Sequence, residues 1–220
     1  RFTSSREAPR NDPTHGDNSL RRRLSALRRL RDFVGGRWNF VTGDPLPEQP
    51  GCLAAFDYVI AAIEGRTATV HSRLALADFE GYEGEYPRLS VGDTDPEALE
   101  AWRKSGRTFF CNSGQTVRSV LIVREEITAL RDGDVQWVYS TDIGVVFELS
   151  EGALDIVKAS HHIEALRVSF GDTVDALDLP DRTIEWDWDN ELGEEYRTMR
   201  EFIDVQSLLT DPPPTVAPRP

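Results

Sequence analysis

The stretch from residue 172 to residue 195 carries the densest charge in the sequence and the first candidates for chemistry. It holds ten acidic residues against one arginine, a net charge of −9, with Trp186 and Trp188 in its middle. In an extended backbone, alternate side chains share a face. One face would carry Ile184, Trp186 and Trp188, and the other Glu185, Asp187 and Asp189. This pattern is typical of a half-buried strand, and it also fits a partner face in which carboxylates steer a basic protein and an aromatic side chain anchors it.

The second interpretation defines a set of candidate partner-binding residues. They are Glu185, Trp186, Asp187, Trp188, Asp189 and Glu191. The same carboxylates do not form an EF-hand, because the sixth and twelfth positions counted from Asp187 are Leu192 and Thr198, where that loop needs Gly and Glu. An irregular divalent-cation site stays open as an alternative.

The histidines offer one metal site that could be constructed. His161 and His162 are adjacent, so on an extended chain they point to opposite faces and cannot both bind one metal without a bend. The best ligand set joins His162 to Glu164 and to either His71 or a carboxylate of the acidic stretch. Ordinary polar side chains at a strand end are the alternative. The sequence therefore predicts no metal ligand and no cofactor, and a metal-dependent hydrolase near His162 is kept as a secondary hypothesis.

Recognised catalytic motifs are absent from the sequence. It contains no GxxxxGK[ST] phosphate loop, no GxGxxG, no HExxH, no GxSxG and no CxxC. With 38 acidic residues, any chosen pair of carboxylates is meaningless until geometry places it. No catalytic residue is predicted, no family resemblance emerges, and the sequence favours a role that is not enzymatic.

Charge divides the chain into a basic arm and an acidic body. Up to Arg37 there are ten arginines against four acidic residues, a net charge of +6, so the overall −13 leaves −19 on residues 38–220. Such a body repels nucleic-acid phosphates and favours a basic protein partner. The alternative is that the charge only keeps the protein soluble.

A helix is predicted in the basic arm, over residues 19–35. Apolar residues recur every three to four positions and Gly35 and Gly36 end the pattern. The arginines off the apolar stripe, and hence the candidate residues of the arm, are Arg21, Arg22, Arg28 and Arg29. The stripe either docks on the acidic body, or binds a membrane, a nucleic acid or a partner groove, or belongs to the arm of an assembly protein.

The elements that would position these residues are those of an α+β domain. We expect disordered tails at 1–18 and 211–220, the basic helix at 19–35, and one globular domain at 38–210. Residues 53–63 favour a helix, 67–77 a strand, 82–86 a loop and 95–104 a helix. From residue 107 onward, strands at 117–130, 135–140, 143–149, 153–159 and 163–170 predict an antiparallel β-meander in one sheet, with two or three helices packed on it.

Composition sets the remaining expectations. Hydrophobic residues make up 39% of the chain, which is enough for a sizeable core. No apolar run approaches the roughly 20 residues that span a bilayer. The two cysteines form no close pair, and arginines occupy the region where a secretory signal would be apolar, so a cytoplasmic location is predicted. The excess of arginine over lysine indicates a GC-rich genome, and we interpret the source as bacterial or phage.

The leading hypothesis is therefore a non-catalytic acidic interaction module. It would act as an inhibitor or an immunity-like neutralising protein that binds a basic partner through its acidic and aromatic face. An assembly or virion-type structural protein using the arginine arm is the alternative. Nucleic acid is not expected to bind the body, although the arm could contact it, and the sequence leaves the oligomeric state open.

Overall fold

The computed structural model describes residues 23–47, 49, 51–79, 82–179 and 194–210. It is an α+β protein with two antiparallel sheets and three helices, which confirms the fold class. The acidic stretch beyond residue 179, the first part of the arginine arm and the proline-rich C-terminal segment lie outside the described residues.

The smaller sheet has five strands. Its order is β6-β5-β4-β1-β7 and all its pairings are antiparallel. The strands are β1 (Trp38–Thr42), β4 (Tyr58–Ile63), β5 (Arg66–Phe79), β6 (Tyr82–Gly92) and β7 (Thr108–Phe109). Strand β5 is longer than its neighbour β4, which covers only residues 66–71 of it.

The larger sheet has seven strands. Its order is β12-β8-β9-β10-β11-β3-β2 and it is also antiparallel throughout. The strands are β2 (Asp44–Pro45), β3 (Leu53–Phe56), β8 (Val117–Arg131), β9 (Asp134–Leu149), β10 (Ala153–Lys158), β11 (Ala165–Gly171) and β12 (Glu194–Asp204). Its central run β8-β9-β10-β11 is the predicted meander.

One hydrophobic core joins the two sheets face to face, and it includes Trp38 and Val70 from the smaller sheet and Phe147 and Leu154 from the larger one. The chain crosses between sheets at two single residues. Gly43 separates β1 from β2, and a Cβ there would lie 2.8 Å from Leu53 Cβ. Asp57 separates β3 from β4 with φ +68, a left-handed conformation that aspartate tolerates better than most residues.

Strand β9 is covered on both of its faces. Val145 and Phe147 belong to the core between the sheets, whereas Val146 belongs to a second cluster with Leu177 on the outer face. All of these side chains are buried, as the apolar run from 143 to 149 predicts. The larger sheet is therefore the middle layer over this part of its width.

The basic helix α1, described over residues 23–31, docks on the body. Leu27, Leu30 and Phe33 are buried in the core between the sheets. Gly35 has φ +84 and the helical backbone ends before it. The docked interpretation of the leucine stripe is therefore the one that the structure supports.

Two further helices pack on the sheets. Helix α3 (Val205–Thr210) follows β12 and buries Val205. Helix α2 (Pro96–Ser105) agrees with its prediction: Asp95 caps it by accepting a hydrogen bond from the Glu97 N–H at 3.0 Å, and Gly106 ends it in the left-handed conformation.

Loss of the Asp95 cap should have a modest effect. Asp95→Ala removes one acceptor from the first turn of α2, so we expect the free energy of unfolding to fall by about 1 kcal/mol. Urea denaturation measures this change. Asp172→Ala, an exposed carboxylate outside α2, is the control for general loss of a carboxylate, and an equal loss in both variants would contradict the capping role.

Several sequence-based element predictions were wrong. Residues 53–63 form strands β3 and β4, because alanines that suit a helix also fit two buried strands that meet at Asp57. Residues 82–86 begin β6 and are not a loop, since the long hairpin with β5 overrides their glycine and charge. The strands expected at 135–140 and 143–149 are one strand, β9, with an irregularity of register beside Arg124.

The described part of the chain contains no helix long and apolar enough to cross a membrane. Cys52 is buried, Cys111 is partly buried, and neither forms a disulfide. Burial raises the pKa of both thiols, which makes them less reactive than a free cysteine.

Candidate functional site

The structure places only some of the residues singled out in the sequence. The whole candidate set from Glu185 to Glu191 lies outside the described residues, as do Arg21 and Arg22. Of the other two arginines of the arm, Arg28 is exposed, and Arg29 forms an ion pair with Asp93 of the body. Arg23 of the same helix lies 3.7 Å from the Asp142 carboxylate of β9. Docking of α1 thus pairs at least two of the arm's arginines with carboxylates of the body.

The histidine and carboxylate of the hypothetical metal site turn to different partners. The Glu164 carboxylate accepts a hydrogen bond from the Leu74 N–H at 2.7 Å. The His162 ring lies 6.0 Å from the Tyr86 ring, between centroids. His71 has its Nδ1 4.0 Å from Asp57, and burial lowers its pKa. Within the described residues, no group of three or more His, Cys, Asp or Glu side chains could hold a metal ion.

Four exposed apolar side chains, here called the apolar corner, lie on three segments that hydrogen-bond to one another. The apolar corner consists of Phe56, Leu74, Leu76 and Ile163, whose exposed fractions are 79%, 45%, 74% and 48%. They come from the end of β3, from the part of β5 beyond β4, and from the loop 159–164 between β10 and β11. Large apolar side chains grouped on a surface mark interaction sites more often than apolar residues scattered singly.

Asp57 and Glu164 connect the three segments of the apolar corner. The Asp57 N–H donates to the Glu164 carbonyl, and the Asp57 carbonyl accepts from the Ser72 N–H, each at 2.8 Å. The Asp57 carboxylate accepts from Arg73 Nε at 2.9 Å, and Glu164 reaches the Leu74 N–H. These hydrogen bonds therefore fix the three segments of the apolar corner relative to one another.

The apolar corner contains an open sheet edge. Strand β5 pairs with β6 along residues 69–79 but with β4 only up to residue 71. In the described part of the chain, residues 72–79 therefore have a strand on one side alone. Leu74 and Leu76 stand on the same strand face as the buried Val70, so the apolar stripe of the core continues along this edge.

The other described edges of the two sheets carry features that discourage pairing with another chain. Strand β6 contains Pro87, whose carbonyl accepts a hydrogen bond from buried Lys158. Strand β12 carries six charged residues in eleven, and β2 is two residues long and ends in proline. Charged side chains, prolines and short strands are the usual protections of an edge. The open edge of β5, residues 72–79, carries two charged residues, Arg73 and Asp78, and no proline.

A buried charged network, here called the Glu125 network, holds the loop that supplies Ile163 and Glu164. Glu125 on β8 is fully buried and accepts hydrogen bonds from Arg200 of β12, with Nε at 2.8 Å. Its other carboxylate oxygen lies 2.9 Å from Nε2 of His161, which is also fully buried. Because His161 belongs to the loop 159–164, this contact anchors the loop in the interior.

Neighbouring groups tie the same loop to β6 and to itself. The Ala159 N–H donates to the Ala165 carbonyl at 2.7 Å and closes the loop. The His162 N–H donates to Ser160 Oγ at 3.0 Å. Tyr86 packs on both Tyr139 and His162, and burial raises the pKa of its hydroxyl. The apolar corner therefore rests on a buried polar support.

A second buried polar cluster lies on the outer face of the larger sheet. Asp155 is fully buried, and its two oxygens accept hydrogen bonds from Ser169 N–H at 2.9 Å and Ser169 Oγ at 2.7 Å. Burial raises the pKa of Asp155 to about 6, against the pull of the Ser169 hydrogen bonds and Arg167. Arg167, nearly buried, donates to Asp178 at 3.2 Å.

Comparison of the chain with protein-family models, curated proteins and solved structures finds no match. The function is therefore argued from the residues and geometry of this chain.

Sequence reasoning did not find the apolar corner or the Glu125 network. Leu74 and Leu76 continue the alternation of a buried strand, and only the point where β4 ends makes them exposed. Glu125 lies between Arg124 and Glu126, whose charges indicate a solvent-exposed strand face.

Proposed function

We propose that the chain is a non-catalytic protein-interaction module of the inhibitor or immunity-like kind, which binds a basic partner through the apolar corner. The observation that carries the proposal is the group of exposed leucine, isoleucine and phenylalanine side chains along an unprotected strand edge. Cellular proteins rarely leave such an edge uncovered, because it pairs with other chains. The corner supplies the apolar centre of an interface.

The net charge supports a basic partner. The whole chain carries −13, and the corner is bordered by Asp57, Glu164 and Glu85, the last directly across the hairpin from Leu76. Carboxylates around an apolar centre accelerate association with a cationic surface and disfavour anionic ones. The acidic residues from Glu185 to Glu191 extend this proposal as a second contact of the same partner.

Burial of the acid and base side chains favours binding over catalysis. A general base must reach the proton that it abstracts, whereas Glu125 and His161 are both fully buried and in contact with each other. This buried contact between Glu125 and His161 is better suited to holding the loop 159–164 in place. Ile163 and Glu164 are the parts of that loop which reach the apolar corner.

The first test compares capture of a basic partner by the full chain and by Leu76→Asp. We expect one stoichiometric basic protein to be captured from native host extract and at least tenfold less to be held by the variant, because a charge is placed in the apolar centre. Quantitative mass spectrometry of the bound fraction measures this. Raising NaCl to about 1 M, where the Debye length is about 3 Å, should release the partner.

Val135→Asp is the matched control for that test. Val135 is 57% exposed at the start of β9, away from the segments that form the apolar corner, and its variant should capture as the wild type does. If Leu76→Asp and Val135→Asp capture equal amounts of the basic partner, the apolar corner is not part of the interface. Lysine substitution of Asp187, Asp189 and Glu191 tests the acidic segment separately, and unchanged affinity would remove that segment alone.

A full chain with Arg21, Arg22, Arg28 and Arg29 replaced by glutamine distinguishes the assembly alternative. Under the proposal this variant keeps its partner, because the arm is not part of the interface. If this variant loses the partner while Leu76→Asp still captures it, the arginine arm and not the apolar corner is the binding site.

A further inference from the structure

Alternate backbone N–H groups of residues 72–76 are directed away from β6, toward the open side of β5. The N–H groups of Ser72 and Leu74 point to that side, because they donate to the Asp57 carbonyl and the Glu164 carboxylate. The register with β6 is regular over this region. By the alternation of an antiparallel strand, the N–H of Leu76 points the same way.

Glu164 occupies the place that a neighbouring strand would take. Its side-chain oxygen accepts from the Leu74 N–H, as a backbone carbonyl of an added strand would. Leu74 pairs with Pro87, which has no N–H, and this agrees with a position where β5 and β6 do not hydrogen-bond to each other. The open side of β5 thus presents the backbone groups to which an added strand would hydrogen-bond.

We propose that the partner binds by adding an extended segment to the open edge of β5, along residues 74–78. This inference rests on the proposed function and names its mode of binding. Alternate apolar side chains of the segment pack beside Leu74 and Leu76. A backbone carbonyl of the segment replaces Glu164 at the Leu74 N–H, and basic residues at its ends pair with the released Glu164 and with Glu85.

Charge on the hairpin sets where the basic residues of the segment lie. Arg73 and Arg88 are paired across β5 and β6 and stand on the strand face opposite to Leu74 and Leu76. Lysines along that face would be repelled, so small polar residues fit there and the cationic residues belong at the ends. A second copy of this chain is a poor occupant, because each copy carries −13 and edge pairing would bring the two Glu164 carboxylates together.

The test uses a synthetic peptide of this chemistry and the full-length protein. The peptide alternates valine and threonine and ends in lysines, since valine and threonine favour extended backbone. A matched peptide carries N-methyl groups on alternate backbone nitrogens, which leaves its side chains and charge unchanged but removes donors. We expect calorimetry to show at least tenfold weaker binding of the methylated peptide, and hydrogen exchange of the Leu76 amide to slow at least tenfold with the first peptide only.

Two variants at one position separate backbone from side chain. Leu76→Pro removes the N–H that faces the open edge without touching the hydrogen bonds to β6, and should weaken binding at least tenfold. Leu76→Ala keeps the N–H and should weaken it less. Circular dichroism verifies that both variants are folded, and the two-peptide comparison does not depend on either of them.

Four outcomes overturn the strand-addition inference: no binding of the first peptide, equal binding of the two peptides, equal effects of Leu76→Pro and Leu76→Ala, or a dimer of the protein that Leu76→Pro dissolves. None of these contradicts the proposed function, which fails when Leu76→Asp captures the basic partner as well as the wild type or when the partner is lost by the variant of the arginine arm. The two failures are therefore distinguishable.

Discussion

Replacing Glu125 with glutamine is expected to lower the free energy of unfolding by about 3 to 5 kcal/mol. Glu125 is fully buried between Arg200 and His161 and contacts one on each carboxylate oxygen. Glutamine keeps the size of the side chain but removes the negative charge, so the guanidinium loses its partner in the interior. Urea denaturation at neutral pH measures the loss.

Glu126→Gln is the matched control for this prediction. Glu126 follows on the same strand and is only partly buried, so its change should stay within about 0.5 kcal/mol. If both variants lose the same free energy of unfolding, Glu125 contributes no more to stability than an ordinary surface carboxylate.

The Glu125 variant should also lose part of its partner binding while it remains folded. His161 loses the charge of its Glu125 contact, so the loop 159–164 is less well held, and Ile163 and Glu164 lose their fixed positions at the apolar corner. Capture of the basic partner at a temperature well below unfolding measures this effect. Glu125 itself touches no partner, and its role in binding is one of positioning.

Asp155→Asn should stabilise the protein at pH 7.5 and have little effect near pH 4. The pKa of Asp155 is raised from 3.8 to about 6 by burial, so the folded state holds its proton more tightly than the unfolded state does. Stability from this group is complete below pH 4 and is lost as the pH rises to about 6. The loss is about 2 to 3 kcal/mol, at 1.36 kcal/mol per pKa unit.

Asparagine fits the same hydrogen bonds and carries no charge at any pH. Its carbonyl oxygen can accept from the Ser169 N–H, and its amide can donate to Ser169 Oγ. Urea denaturation of wild type and variant from pH 4 to pH 7.5 gives the difference. The control is Asp178→Asn, which changes an exposed carboxylate paired with the same Arg167 and should show little pH-dependent gain in the free energy of unfolding. If the difference in stability between Asp155→Asn and the wild type stays constant with pH, the raised pKa is contradicted.

The fold class could be predicted from the sequence because the second half of the chain obeys local rules. Turn residues separate β8 from β9 and β9 from β10, and the apolar run from 143 to 149 identifies a strand covered on both faces. Residues 53–63 failed because alanine is compatible with helix and strand, and their pairing partners are β5, β1 and the distant β11. Local pattern holds no information about those partners.

The candidate site was beyond sequence reasoning for a different reason. Exposure of Leu74 and Leu76 depends on where a neighbouring strand stops. The surroundings of Glu125 depend on His161 and Arg200, which lie 36 and 75 positions away in the sequence. Neither is encoded in residue type at the position itself. Charge was informative at the scale of the whole chain, and it remains the basis for expecting a basic partner.

Pairing between β3 and β11 has a consequence for how the protein is made. It joins Phe56 to Ala165 and Leu53 to Val168, so more than one hundred residues separate the paired strands. Contacts of such long range close slowly, because the chain entropy of a large loop is lost before they form. During synthesis β3 leaves the ribosome well before its partner strand β11 exists. The nascent chain therefore passes through a stage with exposed strands, when dependence on chaperones is expected to be greatest.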